Sequence, residues 1–317
     1  MRAPLRLAPC LLMLLPLLAG CSKQSGVGAP NAPGSASASP QADVASVLAQ
    51  NPALVDDEVS ESSDQTSLEG AEPMAGGRAV SASSAIHPRW FWRTIRDVDR
   101  RFEFAFADTD STGQPTVATV TVHKFLTGSF NILVADSVAE GSPPEAHVIH
   151  KPLHDHWVRR LLLRRVRLTD NDRPIWRIVA TSGVKITSRD AVTRIESLRI
   201  QSAGVDTTIT DPLAFFRLRR VPRLEIGADV MLTVTTLAGD DVVLLYLWGH
   251  RSRFHNNGDH TYSATFKAPD QAGLRHVGVN ALSHGTLLDG SAPYDSQSWI
   301  EPYVVHPLEV ATGTPSD

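Results

Sequence analysis

Residues 157–186 read WVRRLLLRRVRL, TDNDRP and IWRIVATSGVKI, and the first of these three pieces decides the fold class. Its leucines satisfy one face of a helix and a half-buried strand about equally well. The turn chemistry of Asp170–Pro174, followed by Trp176, Ile178 and Ala180 alternating with Arg177 and Val179, makes a second hairpin arm. A strand is therefore expected, at least from Arg164. Upstream, Phe102, Phe104 and Phe106 alternate with Glu103 and Ala105. TVATVTVHKF then follows a Thr-Gly-Gln-Pro turn, and SFNILVAD repeats the habit beyond Thr127-Gly128, so three runs form an expected meander. Downstream, SLRIQSAG, ADVMLTVTTLAGDDVVLLYLWGHRSRF, HTYSATFKAP, LRHVGVNAL and SWIEPYVVHP are separated by turns about every ten residues, the rhythm of a sandwich. The expected fold is mainly β: an antiparallel α+β or all-β domain over 86–200, a β-sandwich over 201–307 and a flexible tail over 308–317. The boundary between the domains falls somewhere in 195–225.

The N-terminus has a different character. Arg2 and Arg6 precede an apolar run from Leu11 to Leu18, which closes on Ala19, Gly20 and Cys21. The run is too short for a transmembrane helix and has the anatomy of a signal peptide, expected over 1–20. Leu18-Ala19-Gly20-Cys21 resembles the bacterial lipobox, in which the cysteine sulfur receives diacylglycerol and becomes the acylated first residue after cleavage. That resemblance implies a covalent diacylglycerol, an N-acyl chain such as palmitate, and anchoring to a membrane through Cys21. Two or three acyl chains hold far more firmly than one. Ser22 follows where an aspartate would resemble an inner-membrane retention signal, which favours the outer membrane. The other thiol, Cys10, lies in the removed segment, so the mature chain can form no internal disulfide.

From Ser22 to Ala85 the chain is Gly, Ala, Ser and Pro with scattered acids and no aromatic residue. Such a composition buries too little apolar surface to offset chain entropy, and residues 21–85 are expected to be a disordered linker. A short helix near Val44–Leu48 is the exception foreseen. A coil of that length reaches about 40 to 50 Å from the membrane. The formal net charge is −4 and the folded part is close to neutral, which argues against a nucleic-acid partner.

Within the sandwich, Tyr262, Thr265, Phe266, Ala268-Pro269 and Gly273 in YSATFKAPDQAGLRHVGVNAL resemble the late strands of bacterial immunoglobulin-like and fibronectin-type-III-like domains. The resemblance implies an immunoglobulin-like sandwich used in adhesion or spacing. The first domain, with a helical lead-in before its strands and a Trp in its last hairpin, resembles the nuclear-transport-factor-two-like cone folds over about 86–200. That likeness implies a curved sheet able to enclose a small molecule.

Several constellations could carry chemistry. HVIHKPLHDHW brings His147, His150, His154 and His156 within ten residues, nitrogen donors suited to a divalent metal. On a strand, however, His154 and His156 share a face while His147 points elsewhere, and Pro152 excludes a helix. A pH-dependent contact is another use for the pair His154 and His156. Arg165 and Arg167, joined by Arg177, could line a basic stripe that grips phosphates or an acidic glycan. Asp170–Pro174 partly resembles the cadherin calcium linker, and Asn256–Ser263 reads as a hairpin turn around Asn257-Gly258. Ser283-His284 and Asp289 lie between the last strands, but neighbouring Ser and His on a strand face apart. Tyr294, Trp299 and Tyr303 could stack sugars or fill a core. No GxSxG, HExxH or phosphate-binding glycine loop is present.

The sequence thus implies a lipid-anchored cell-envelope protein, extracytoplasmic, serving as a non-catalytic adhesion, scaffold or interaction module with a protein or glycan partner. The alternatives are a lipoprotein that binds a small hydrophobe or acidic glycan through the first domain and, behind it, a metal-dependent hydrolase using the histidines. A deep space between sheet and lead-in would favour ligand binding, whereas a filled interior would favour the scaffold.

Overall fold

The computed structural model describes residues 39–57, 59–61, 65–67, 85–135, 146–168, 171–247 and 250–307. The expectations for the signal peptide, Cys21, Asp170, most of the linker and the 308–317 tail lie outside them. The described residues belong to one compact unit that is mainly β with antiparallel sheets.

In chain order the first elements are helices α1 (Pro40–Ala49) and α2 (Pro52–Val55). Strands β1 (Thr66–Ser67), β2 (Pro88–Thr109), β3 (Pro115–Ala135), β4 (Ala146–Leu168) and β5 (Asn171–Ser188) follow. Next come β6 (Ile195–Ser202), β7 (Val205–Ile209), β8 (Phe216–Arg217), β9 (Arg223–Glu225), β10 (Asp229–Thr236), β11 (Val242–Leu247) and β12 (His250–Arg253). The chain continues with β13 (His255–Asn256), β14 (Thr261–Lys267), β15 (Gly273–Leu282), the short helix α3 (His284–Leu288) and β16 (Ser296–His306).

One sheet runs β1-β2-β3-β4-β5-β16-β15-β11-β12, with β8 on β5 and β9 on β16. It curls far enough to meet itself: Arg251 of β12 donates to the Thr66 hydroxyl of β1 at 3.4 Å and lies 4.0 Å from the Tyr246 ring and 5.9 Å from that of Phe91. Across the interior, Arg93 of β2 reaches Tyr246 of β11, and Arg159 of β4 reaches His276 of β15. The result is a barrel-like curl around a core that includes Phe91, Phe130, Trp157 and Tyr246. A second sheet, β13-β14-β10-β6-β7, packs on the outer face of β11, β15 and β16 to enclose a second core with Leu198, Val234, Tyr262 and Trp299. Because β11 faces a core on each side, VVLLYL is buried at all six positions, without the alternation of a half-exposed strand.

The structure departs from the sequence reading in four places. The lead-in expected to be helical is the first half of β2. SFNILVAD does not begin a new strand at Thr127-Gly128, since β3 runs unbroken for 21 residues. Gly128 is instead where β2 comes closest: opposite it β2 shifts register between Ile95 and Asp97, and a Cβ there would stand 1.9 Å from the Thr94 carbonyl oxygen. The boundary expected at 200/201 falls inside β6, and β16 hydrogen-bonds to β5 from Gln297↔Thr187 to Ile300↔Val184, so the two halves share a continuous sheet.

The fourth departure is in the linker. Residues 40–57 and 59–61, expected to be disordered apart from a short helix near Val44–Leu48, fold onto the barrel's inner face, and that helix is present as part of α1. Ser39 caps α1 by accepting from the Ala42 amide at 3.3 Å, with Pro40 at the first helical position. Val44, Leu48, Val55 and Val59 are at most 5% exposed and join the barrel core. Burying each contributes up to about 1.5 to 3 kcal/mol, which this composition can gain only against a partner surface.

Candidate functional site: the strapped barrel and its projecting hairpins

The strands of the barrel alternate, and on the inward phase of β2, β3 and β4 charged residues take places among valines and leucines. Lys124, fully buried, donates to Asp56 and to Glu61 Oε1 (2.7 Å), and its ammonium lies 4.9 Å from the centre of the Trp157 ring. Trp157 Nε1 donates to Asp57 Oδ2 at 2.8 Å. Arg159, 1% exposed, donates to the carbonyls of Leu54 (3.2 Å) and Asp56 (2.6 Å) and to His276 Nε2 (3.2 Å). Arg93 donates to the Ser60 carbonyl at 2.8 Å and lies 3.7 Å from Asp155. Each cation therefore meets an acid or carbonyl of the 54–61 strap or of the facing strand, as buried charge requires. Burial raises the Asp56 carboxyl, but the hydrogen bond and charge of Lys124, with the Asp57 amide and then the Arg100 charge, outweigh it and hold the group below its ordinary value.

The far end of the interior is tied to the β15–β16 connection. Lys151 Nζ donates to the carbonyls of Gly285 (3.2 Å) and Asp289 (2.7 Å), and Tyr294 Oη donates to Asp155 Oδ2 (3.3 Å). Burial pushes Lys151 down to about 8 and Asp155 up to about 6, with the Arg93 charge limiting the rise of Asp155.

Beyond the barrel, β2–β5 continue as two projecting hairpins. Short of the arginines at the tip of β4, their inward phase is apolar: Phe102, Phe104 and Phe106 lie opposite Val122, Val120 and Ala118, and Leu163 lies opposite Ile178. Four strands spaced about 4.8 Å apart would hold β2 and β5 some 14 Å apart if flat. Phe106 and Trp176 nevertheless meet edge-on at 6.2 Å, so the curl continues to the tips and closes over Ala118, Val120, Leu161 and Leu163, none of them accessible. Val98, Phe102 and Phe106 remain 37 to 40% exposed along β2.

The arginine stripe is only partly assembled. Arg165 and Arg167 share the inward phase of β4, and Arg165 lies 3.5 Å from Asp110 in the β2–β3 turn. Arg177 lies opposite Arg164 and faces the other way, because β5 alternates about Trp176, which lies opposite Arg165. The histidines do not converge either. His147 lies opposite Val134 on the inward phase, while His150, His154 and His156 face outward. His150 donates to Asn131 Oδ1 at 2.7 Å, and His156 pairs with His123 at 2.9 Å and stacks on Phe125 at 4.6 Å. Burial first, then the His123 charge, lowers the His156 pKa. Among the described residues no three His, Cys, Asp or Glu side chains are placed to hold a metal ion.

Other sequence candidates have structural roles. Asn256–Ser263 spans the end of β13, the turn and the start of β14, with Gly258 of the turn at φ 89°. Ser283 caps α3 by accepting from the Thr286 amide, and Tyr294, Trp299 and Tyr303 are core residues. The seam cations Arg93, Lys124 and Arg159 were missed as a group. Their signal is a cation on the apolar phase of a strand, as in TVTVHKF, complemented by acids in a distant segment that otherwise looks unstructured. No protein-family model, curated protein or solved structure matches the chain.

Proposed function

We propose that the protein is a lipid-anchored component of the bacterial cell envelope, fastened through Cys21, and that it works as a non-catalytic interaction module whose projecting hairpins meet a partner. The observation that carries this reading is the occupied barrel. Where a curved sheet could enclose a ligand, Val44, Leu48, Val55 and Val59 fill the space, and the buried charges are spent on holding the strap that bears them. Exposed apolar side chains meanwhile gather on β2 outside the barrel, as at a protein contact. An immunoglobulin-like role for the sandwich accords with spacing or adhesion, and the outer membrane is the proposed location. Among the described residues no helix is long and apolar enough to cross a membrane, so attachment in this reading rests on the lipid.

Fractionation of cells tests the anchor. The parent chain is expected in the membrane pellet and released only by detergent, whereas Cys21→Ser is expected in the soluble fraction; a Cys21→Ser chain that still pellets would refute the anchor.

A second reading, binding of a small hydrophobe, draws on the trough beneath Phe106 and Trp176. Its floor is inaccessible, so a ligand must part those two rings. Trp176 emission that shifts on titration with a medium-chain fatty acid would favour that reading over the module.

A further inference from the structure

The structure assigns a partner to the free edge of β2: a second copy of this chain, joined antiparallel through residues 97–107 with Phe102 on the two-fold axis. Among the described residues, β1 pairs only with Trp90 and Phe91, and nothing pairs with the outer edge of β2 beyond them. The free stretch has natural ends. The register shift between Ile95 and Asp97 interrupts the strand on one side, and Asp108, at φ 49°, interrupts it on the other. Bulges and left-handed residues are devices that terminate pairing. Between them lies an eleven-residue window, 97–107, whose midpoint is Phe102.

The side chains are symmetric about the same residue. In an antiparallel two-fold pairing centred on Phe102, Val98 meets Phe106 of the second copy, Phe102 meets Phe102, and Phe106 meets Val98. These are the exposed large apolar residues of β2, 37%, 40% and 38% accessible. On the opposite face Arg101 meets Glu103 twice, and both are well exposed, with side chains 68% and 76% accessible. Asp99 meets Ala105 and Asp97 meets Ala107 there, while on the face of Phe102 the Arg100 side chain, paired with Asp56, meets Phe104. No two like charges stand directly opposite each other, which would oppose pairing. A two-fold contact must be self-complementary in this sense, and a strand edge supplies the hydrogen bonds that hold it. The inference rests on β2 alone and does not depend on the lipid anchor.

Cysteine scanning in cells tests the register. Directly opposite residues have Cβ atoms about 4.5 to 5.5 Å apart, within reach of a disulfide after slight adjustment. Phe102→Cys in the full chain is therefore expected to give a disulfide-linked dimer on non-reducing gels. Phe104→Cys, about 14 Å from its own copy at about 3.4 Å per residue, is expected to give roughly tenfold less. Arg101→Glu should abolish the Phe102→Cys product, and Arg101→Glu with Glu103→Arg should restore it. Sedimentation of the detergent-solubilised chain, which needs no cysteine, should give a dimer for the parent and a monomer for Phe102→Lys with unchanged circular dichroism. A monomeric parent, or equal crosslinking at 102 and 104, overturns the proposal.

Discussion

From the barrel side, the wall made by β11, β15 and β16 presents Val242, Leu244, Tyr246, His276 and Ile300; from the other side the same strands present Val243, Leu245, Val277, Val279 and Trp299. The two interiors meet at one wall and are sealed differently. The sandwich closes with apolar side chains of two sheets, hydrogen-bonded along their strands. The barrel closes with a segment distant in sequence, held by buried cations as well as by four apolar residues. Apolar packing needs only shape and volume, whereas a buried Lys or Arg needs its partner present. The strap is therefore the part whose loss the barrel can least absorb, and variants on each side of the wall should separate the two modes of closure.

The largest effect is expected at the close approach of β2 and β3. Gly128→Ala would place a methyl group on the Thr94 carbonyl, which only backbone movement can relieve, and should cost about 3 kcal/mol or more in urea unfolding. On the barrel side, Arg159→Met removes a guanidinium that ties the strap to β15 and should cost about 3 kcal/mol. Limited proteolysis should then cut within 50–61 before the sandwich opens. On the sandwich side, Val234→Ala, which deletes fully buried methyl groups, should cost about 2 kcal/mol with no new cleavage in the strap. Early strap cleavage in Val234→Ala as well would show that the two interiors do not behave separately.

The smallest effect concerns pH. Asp241, 4% exposed immediately before β11, has its carboxyl pushed up to about 7, chiefly by burial, with the neighbouring Asp240 and Asp295 charges adding to the rise. A carboxyl with a raised folded-state pKa binds its proton more tightly in the folded chain than in the unfolded one. Its ionisation therefore lowers stability as pH rises from about 4 to 7, and the cost stays constant above that. Asp241→Asn removes the titration, so its stability relative to the parent should improve by about 1 kcal/mol or more between pH 5 and pH 8. A difference that does not change with pH would exclude Asp241 as the source.

Much of this fold was legible. Alternation in FEFAF, TVATVTV and WRIVA marked strands that are present, and NNGD lies at a hairpin between strands that do pair, whereas Asn171–Pro174 of the expected DNDRP turn already belong to β5 and pair with β4. Of the candidate site, the face-sharing of Arg165 with Arg167 and the divergence of His147 from His154 and His156 followed from a period of two. Arg177 escaped because a hairpin's register, not its alternation, decides which face meets which. Thr127-Gly128 suggested a turn because glycine is ambiguous, serving turns and close backbone approach equally.

The sequence by itself determined most of the strands and the alternation along each, because a pleated backbone sends neighbouring side chains to opposite sides whatever surrounds it. The lipobox likeness and the composition of 22–85 were likewise local properties. Only the tertiary structure decided that residues 50–57 and 59–61 would lie ordered against the barrel, that Lys124 and Arg159 would be buried with partners, and that one sheet would serve two cores. Those outcomes depend on surfaces brought together from segments as far apart as Asp56 and Lys124, and the free energy of such a contact belongs to neither segment alone.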